Sequence, residues 1–136
     1  MTRLTIRFGD DAFAESVSPS RPDGVVFEGD EECGYFYAVD VSSAEPRIVH
    51  ALQVYAVPGE DEASSSEHEV QIRWNGSGTC AALTIDGQVL AAFDFAHRLA
   101  SSRCAFPGNG ASKWNDVEWS DGLLRWFDET PQSGMQ

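Results

Sequence analysis

The chain has 136 residues, of which 42% are hydrophobic and 11% aromatic, so it is long and apolar enough to bury the core of one domain. Acidic residues outnumber basic ones by 22 to 9, giving a formal net charge of −13 and few cationic side chains that could contact phosphates. This balance argues against nucleic acid or an anionic membrane as a partner and favours a basic protein, although a negative surface also serves solubility alone.

Alternation of apolar and polar side chains with a period of two is the main structural signal along the chain. Residues 4–8 form a first alternating segment, which is followed, after a polar stretch at 16–24, by further apolar strands. These strands are predicted at 25–27, 33–40 and 47–57. The last two are apolar on both faces, and the strand at 33–40 is therefore expected to lie inside a sheet. His50 shares an apolar strand face with Leu52 and Val54 and is expected to be a core histidine.

The middle of the chain predicts a loop followed by a three-stranded antiparallel meander. Residues 59–68 are charged and serine-rich, so we expect a surface loop that ends at an exposed His68. The meander covers 69–96, and its first strand directs Val70, Ile72 and Trp74 inward. Asn75-Gly76 and Asp86-Gly87 provide its two turns, because these residues tolerate positive φ.

The C-terminal third predicts one more strand and a short helix. The strand covers 98–106, the glycine-rich 107–110 forms a turn, and a helix over 120–129 begins with Ser120 as its N-cap. A single domain at 1–127 and a flexible tail at 128–136 complete the prediction. The fold class is mainly β, at the margin of α+β: an antiparallel meander or sandwich-like domain with a short C-terminal helix.

Several stretches carry a resemblance to a known family. They are VVFEGDEECGYFYAVD at 25–40, ALQVY at 51–55, IRW at 72–74, AALTIDGQVLAAFDF at 81–95, RCAFP at 103–107 and VEWSDGLLRWF at 117–127. Together they resemble a bacterial family catalogued as domain of unknown function 2251. The resemblance implies a shared fold and a bacterial source, but no reaction. By analogy alone, the chain is also similar to small acidic bacterial proteins that neutralise secreted toxins.

The residues usually found in metal, cofactor and targeting segments are sparse in this sequence. The cysteines, Cys33, Cys80 and Cys104, have no CxxC or zinc spacing, so we expect reduced thiols and no cofactor. The acidic turns at 28–32 and 60–62 lack the ligand spacing of a calcium loop. The N-terminus has no apolar run typical of a signal peptide, and a cytoplasmic location is expected.

A small pocket around Asp94, His97 and Arg103 is one candidate site. His97 follows Asp94 by three residues, a spacing at which a carboxylate can orient a general base. The nearest nucleophiles in sequence are Ser101, Ser102 and Cys104, but no GxSxG or HExxH motif frames them. A buried Asp94 also needs a partner for structural reasons, and Arg98, Arg103 or backbone N–H groups of the loop at 107–110 are expected to supply it.

The segment 112–127 is the other candidate, because it combines tryptophans with carboxylates. The residues proposed for an interface are Trp114, Asp116, Glu118, Trp119 and Asp121. Exposed tryptophan surrounded by carboxylates is typical of a surface that takes a basic partner, since tryptophan is common among binding hot spots. Stacking on a carbohydrate or a peptide would use similar residues, and a further alternative is that the tryptophans cap the β core.

Three functional hypotheses follow. The first is a non-enzymatic acidic binding protein, most concretely an immunity-type protein that neutralises a basic bacterial toxin. The alternative is a small enzyme or ligand-binding domain that uses the Asp94, His97 and Arg103 pocket. The third is a homo-oligomer that shares the apolar faces of the strands at 33–40 and 47–57.

Overall fold

A computed structural model describes residues 2–56, 67–103 and 115–117 as two β-sheets. The strands are β1 (Thr2–Ile6), β2 (Ala12–Val17), β3 (Asp23–Gly29), β4 (Cys33–Asp40), β5 (Arg47–Ala56), β6 (His68–Trp74), β7 (Cys80–Ile85), β8 (Gln88–Asp94), β9 (Leu99–Ser102) and β10 (Asn115–Asp116). One sheet has six strands in the order β1-β6-β7-β8-β9-β10, and the other has four in the order β2-β3-β4-β5. All paired neighbours are antiparallel except β9 and β10, which confirms the mainly β, antiparallel prediction.

The described residues contain no helix, and hence none that is long and apolar enough to cross a membrane. The helix predicted over 120–129 lies outside the described residues.

The predicted meander is confirmed as β6, β7 and β8, and β9 extends it within the range predicted for a fourth strand. Asp86 and Gly87 form a two-residue turn with φ of 52° and 84°, as a type I′ hairpin requires. The connection between β6 and β7 runs over 75–79, so it is longer than the two-residue Asn75-Gly76 turn that was predicted. Its positive φ lies at Gly78. The Asn75 side chain holds this loop by accepting hydrogen bonds from the backbone N–H groups of Thr79 and Cys80.

The sequence prediction missed β2, whose residues Ala12–Val17 overlap the stretch interpreted as polar. Its inward positions carry only small side chains, Ala12 and Ala14, whereas its large Phe13 points to solvent. The ordinary apolar-inward pattern is therefore weak in this strand. The pairing of β1 with β6 was also not predicted, because it joins segments that are far apart in the chain.

The two sheets pack face to face around an aromatic core. Phe36 of the four-stranded sheet contacts Phe93 of the six-stranded sheet, with ring centroids 5.1 Å apart. His50 is 2% exposed and meets the same Phe93 ring edge-on, which confirms it as a core histidine. Trp74 links the sheets by donating its indole N–H to the Ser16 hydroxyl at 2.9 Å.

Burial is distributed differently over the outward sides of the two sheets. In the six-stranded sheet every residue of β7, from Cys80 to Ile85, is buried, so this strand is covered on both sides. In the four-stranded sheet two outward side chains of β4, Tyr35 and Tyr37, are only half-buried, whereas the outward Val39 is buried. The two outer surfaces therefore differ in how much apolar area they leave in contact with solvent.

Candidate functional site

Asp94 and His97 are brought together at the turn between β8 and β9. The Asp94 carboxylate is buried and accepts hydrogen bonds from the His97 backbone N–H at 3.2 Å and from His97 Nδ1 at 2.8 Å. The His97 side chain itself is 74% exposed. The pair closes a turn in which Arg98 has a φ of 57°, so a structural role accounts for the buried carboxylate.

Arg103 lies away from this pair. Its backbone N–H bonds to the carbonyl of Leu90, and its Nε bonds to the carbonyl of Val89 at 2.6 Å. Leu90 precedes Asp94 by four residues, which is about 13 Å along an extended strand. The expectation that Arg103 pairs with Asp94 is therefore corrected: the turn places the His97 ring beside the carboxylate, with Nδ1 2.8 Å from Oδ2.

The two serines suggested as nucleophiles serve the packing of the sheets. Ser101 is buried, and its hydroxyl donates to the Val117 carbonyl at 2.8 Å. The Ser102 hydroxyl donates to the Gln53 carbonyl at 2.6 Å, which joins β9 to β5 across the two sheets. Both hydroxyls therefore donate to backbone carbonyls, which gives them a structural role in the described part of the chain.

Most of the predicted C-terminal interface cannot be placed. Trp114, Glu118, Trp119 and Asp121 lie outside the described residues, as does Cys104. Asp116 is in β10, where its backbone pairs with Ala100 of β9. This part of the sequence prediction stays a prediction.

His68 belongs to a strand and not to the end of a loop. Its ring stacks on Phe8 at a centroid distance of 4.2 Å, and its Nδ1 lies 2.7 Å from Asp86 Oδ2. The side chain is 21% exposed and thus half-buried, so the expectation of an exposed histidine was wrong. The hydrogen bond to His68 and a second one from the Glu69 N–H lower the pKa of Asp86.

Carboxylates from two separate turns meet at one end of the four-stranded sheet. They line a concave surface, called the acidic groove here, formed by Gly9, Asp10, Asp11, Asp30, Glu31 and Glu32. Asp30 accepts hydrogen bonds from the backbone N–H groups of Cys33 and Glu32, which lower its pKa and keep it charged at neutral pH. The sequence indicated the second turn as acidic, but only the fold brings Asp10 and Asp11 beside it.

Neither the carboxylates nor the thiols of the described residues form a metal site. No group of three or more His, Cys, Asp or Glu side chains in this part of the chain is arranged to hold a metal ion. Cys33 accepts a weak hydrogen bond from the Gln53 amide at 3.5 Å, and Cys80 is buried. In the described residues the acidic groove is a carboxylate-lined surface.

The outward side of the four-stranded sheet, called the outer face below, consists of three rows of laterally paired residues. From β2 to β5 the rows are Phe13-Glu28-Tyr35-Gln53, Glu15-Val26-Tyr37-Ala51 and Val17-Gly24-Val39-Ile48. Phe13, Val17 and Ile48 are 58%, 55% and 60% exposed. An outward sheet face usually carries polar side chains, so this composition marks the face as a candidate contact surface.

Two tyrosines stand at the centre of the outer face. The rings of Tyr35 and Tyr37 stack with centroids 6.0 Å apart, and the Tyr37 hydroxyl donates to Glu28 at 3.2 Å. Burial and this hydrogen bond raise the pKa of Tyr37 to about 12, and a hydrogen bond with the Cys33 side chain raises that of Tyr35. Both phenols are therefore neutral at physiological pH and present a fixed aromatic surface.

The acidic groove and the outer face are continuous. A second depression shares Asp11 and Asp30 with the groove and extends to Phe13 and Glu28 on the outer face. An aromatic surface thus borders a carboxylate-lined one along the same edge of the sheet. The sequence indicated apolar character on both sides of β4 and β5, but it could not show which side faces solvent.

Comparison with known proteins gives a family and no activity. A family model described as "Uncharacterized protein conserved in bacteria (DUF2251)" matches residues 6–128. An uncharacterized protein of Haemophilus influenzae is 40% identical over 86 residues, which are 61% of this chain and 51% of that protein. The chain thus spans about half the length of this curated relative. No solved structure matches the chain.

Proposed function

We propose, from the premise that this chain belongs to the DUF2251 family of bacterial proteins, that it is a non-enzymatic acidic protein that binds and occludes a basic protein. Its most concrete form is an immunity-type protein that neutralises a basic bacterial toxin, with the cytoplasm as the proposed location. The family description contains no activity, so the proposal is supported by charge and surface geometry.

The acidic groove is the observation that carries this proposal. Five carboxylates from two turns line it, and among the described residues neither a lysine nor an arginine lines it with them. Such a surface attracts a cationic partner over distances comparable to the screening length, which is about 10 Å at 0.1 M salt. Association with a basic protein should therefore be fast and should slow as salt is added.

The test is to capture partners from the bacterial source at low salt and to identify them by mass spectrometry. We expect a basic protein, encoded beside the gene for this chain if the immunity hypothesis holds. With that protein purified, the association rate should fall when the ionic strength rises from about 50 to about 300 mM. Recovery of no basic protein, or a rate that ignores salt, contradicts the proposal.

A charge-neutralising variant tests whether the groove causes the attraction. Asp10→Asn combined with Asp11→Asn should slow association, whereas Glu45→Gln should not. Glu45 is also exposed but lies in the β4–β5 connection, at the opposite end of the sheet. Equal effects of both changes would show that only the net charge matters.

The C-terminal residues Trp114, Asp116, Glu118, Trp119 and Asp121 are kept as a second proposed part of the interface. What supports them is the combination of tryptophan with carboxylates in the sequence. Substitution of Trp119 by alanine should then weaken partner binding without changing the thermal stability of the domain.

The alternative proposal is a small enzyme or ligand-binding domain around Asp94, His97 and Arg103. The hydrogen-bonded Asp94 and His97 support it, since the carboxylate orients the ring. Arg103 at the far end of the β8–β9 hairpin does not, and the binding hypothesis is therefore preferred. Loss of small-molecule binding or of an enzymatic activity in a folded His97→Ala variant that still binds the basic protein would favour the alternative.

A further inference from the structure

The described part of the chain leaves its most exposed large apolar side chains on one surface. Phe13, Val17 and Ile48 are each more than half exposed, and all three belong to the rows of the outer face. They come from the two edge strands, β2 and β5, so they frame the sheet on both sides. Grouping of such residues on one face is typical of a contact surface, whereas scattered ones need no explanation.

The outward side of the six-stranded sheet shows the opposite behaviour. Its central positions are occupied by small or polar side chains that are nonetheless buried. They are Cys80, Ala82, Thr84, Ala92, Asp94 and Ser101. Of the two outward sides, the outer face of the four-stranded sheet is therefore the one that exposes large apolar groups in the described structure.

We propose that the outer face and the adjoining acidic groove together form the docking surface for a basic protein, with Phe13 as a central anchor. This inference rests on the proposed function and names the surface that performs it. Phe13 lies where the two regions join, since it lines the depression that also contains Asp11, Glu28 and Asp30. An aromatic anchor beside carboxylates suits a partner that presents apolar side chains bordered by lysine or arginine.

Charge complementarity favours a basic partner over a second copy of the chain. Within the three rows of the outer face the charged residues are Glu15 and Glu28, both exposed carboxylates. A two-fold interface brings the same patch of each copy together, so it would set these carboxylates and both acidic grooves into close proximity. With a net charge of −13 on each chain, that arrangement is repulsive at physiological salt.

The aromatic centre of the outer face is already fixed in a binding conformation. Tyr35 and Tyr37 stack on each other, and Tyr37 is held by its hydrogen bond to Glu28. A side chain that is immobile before binding loses less conformational entropy on association. The partner would therefore contact a rigid aromatic row and, next to it, the carboxylates of the acidic groove.

The experiment is site-specific photo-cross-linking in cells of the bacterial source. The photoreactive amino acid p-benzoylphenylalanine replaces Phe13 or Ile48 on the outer face, or Trp119 in the C-terminal segment. The matched control is Thr5, which is exposed on the outward side of the six-stranded sheet. Thermal unfolding of each purified variant verifies its fold before irradiation.

We expect adducts with one basic protein at positions 13 and 48, at least about tenfold more abundant than at position 5. Adding Glu15→Lys should lower the adduct at position 48 about tenfold, because it places a cation within the surface. An adduct of a chain with itself, or with an acidic protein, would overturn the inference.

The experiment gives different results if only the proposed docking surface is wrong and if the proposed binding function is wrong. Adducts with a basic protein at position 119 or 5, but not at 13 or 48, overturn the proposed surface and leave the binding function standing. Absence of an adduct at every position contradicts both.

Discussion

Tyr55 of β5 lies across Gly34 of β4, so close that a Cβ atom on Gly34 would overlap the tyrosine ring. The Tyr55 ring also extends over Gly29 of β3, and the Tyr55 hydroxyl lies where a Cβ atom on Gly29 would be. Phe8 covers the other side of Tyr55 with a centroid distance of 4.5 Å. The two glycines therefore form a channel in the inner face of the sheet, and the tyrosine fills the end of the core beneath the acidic groove.

Gly34→Ala should destabilise the domain by about 1–3 kcal/mol, because the added methyl forces Tyr55 out of its position in a packed core. Chemical denaturation would measure the loss. In a Tyr55→Ala background, which itself costs about 3–5 kcal/mol, the same methyl has space to occupy. The two changes should then be less costly together than the sum of the single variants, and simple additivity would contradict the overlap.

Removal of the Tyr55 hydroxyl should cost nothing at neutral pH and should stabilise the domain by up to about 1 kcal/mol, because this buried hydroxyl has no hydrogen-bond partner among the described residues. Tyr37→Phe is the control, since it removes a hydroxyl that donates to Glu28. Denaturation of both variants at pH 7 distinguishes them. A clear loss of stability in Tyr55→Phe, as large as that in the control, would show that the hydroxyl is satisfied.

The raised pKa of Tyr55 predicts that the domain loses stability at alkaline pH. Burial, followed by the charge of Asp30, raises the pKa of Tyr55 from 10.0 to about 12. Since the folded pKa lies above the unfolded one, the stability that depends on the neutral phenol is complete below about pH 10 and is lost as the pH rises toward 12. The advantage of Tyr55→Phe over the wild type should therefore grow in this window, as measured by urea midpoints at several pH values.

Local signals in the sequence were sufficient for part of this fold. The turn at Asp86 and Gly87 was predictable because both residues tolerate positive φ and separate two alternating segments. The β6 to β8 meander followed from that turn and from the period of two. Pairing of β1 with β6 could not be derived in this way, because no local residue encodes a partner more than sixty positions away.

The candidate surfaces were less predictable than the strands. Apolar residues on both sides of β4 indicated an internal strand, which is correct, but the pattern does not reveal which side another layer covers. Asp94 was expected to pair with an arginine, yet a turn with a positive φ at Arg98 places His97 beside it. Approach of Asp10 and Asp11 to the β3–β4 turn depends on β2, which sequence patterning missed.

Asn75→Ala should destabilise the domain by about 2–3 kcal/mol, because the buried Asn75 amide satisfies the backbone N–H groups of Thr79 and Cys80. Ser77→Ala, a change at an exposed position in the same loop, is the control. Denaturation midpoints compare the two. If the Asn75 variant lost no more stability than the control, the loop would not depend on this side chain.

Acid should weaken the contact between Asp86 and His68. The His68 hydrogen bond, and then the Glu69 N–H, lower the pKa of Asp86 from 3.8, so its folded value lies below its unfolded one. The stability that this carboxylate contributes is therefore present above the unfolded pKa and is lost as the pH falls through the folded one, below about pH 4. Asp86→Asn keeps an acceptor for the Glu69 N–H and a residue type that tolerates the positive φ, but removes the charge. The wild type should be the more stable protein at pH 6, and the difference in urea midpoint should close by about pH 3.

A difference in urea midpoint that stays constant between pH 6 and pH 3 would mean that the Asp86 charge contributes nothing to the contact with His68. Repeating the comparison in a His68→Gln background identifies the partner, because the pH dependence should shrink once the imidazole is gone.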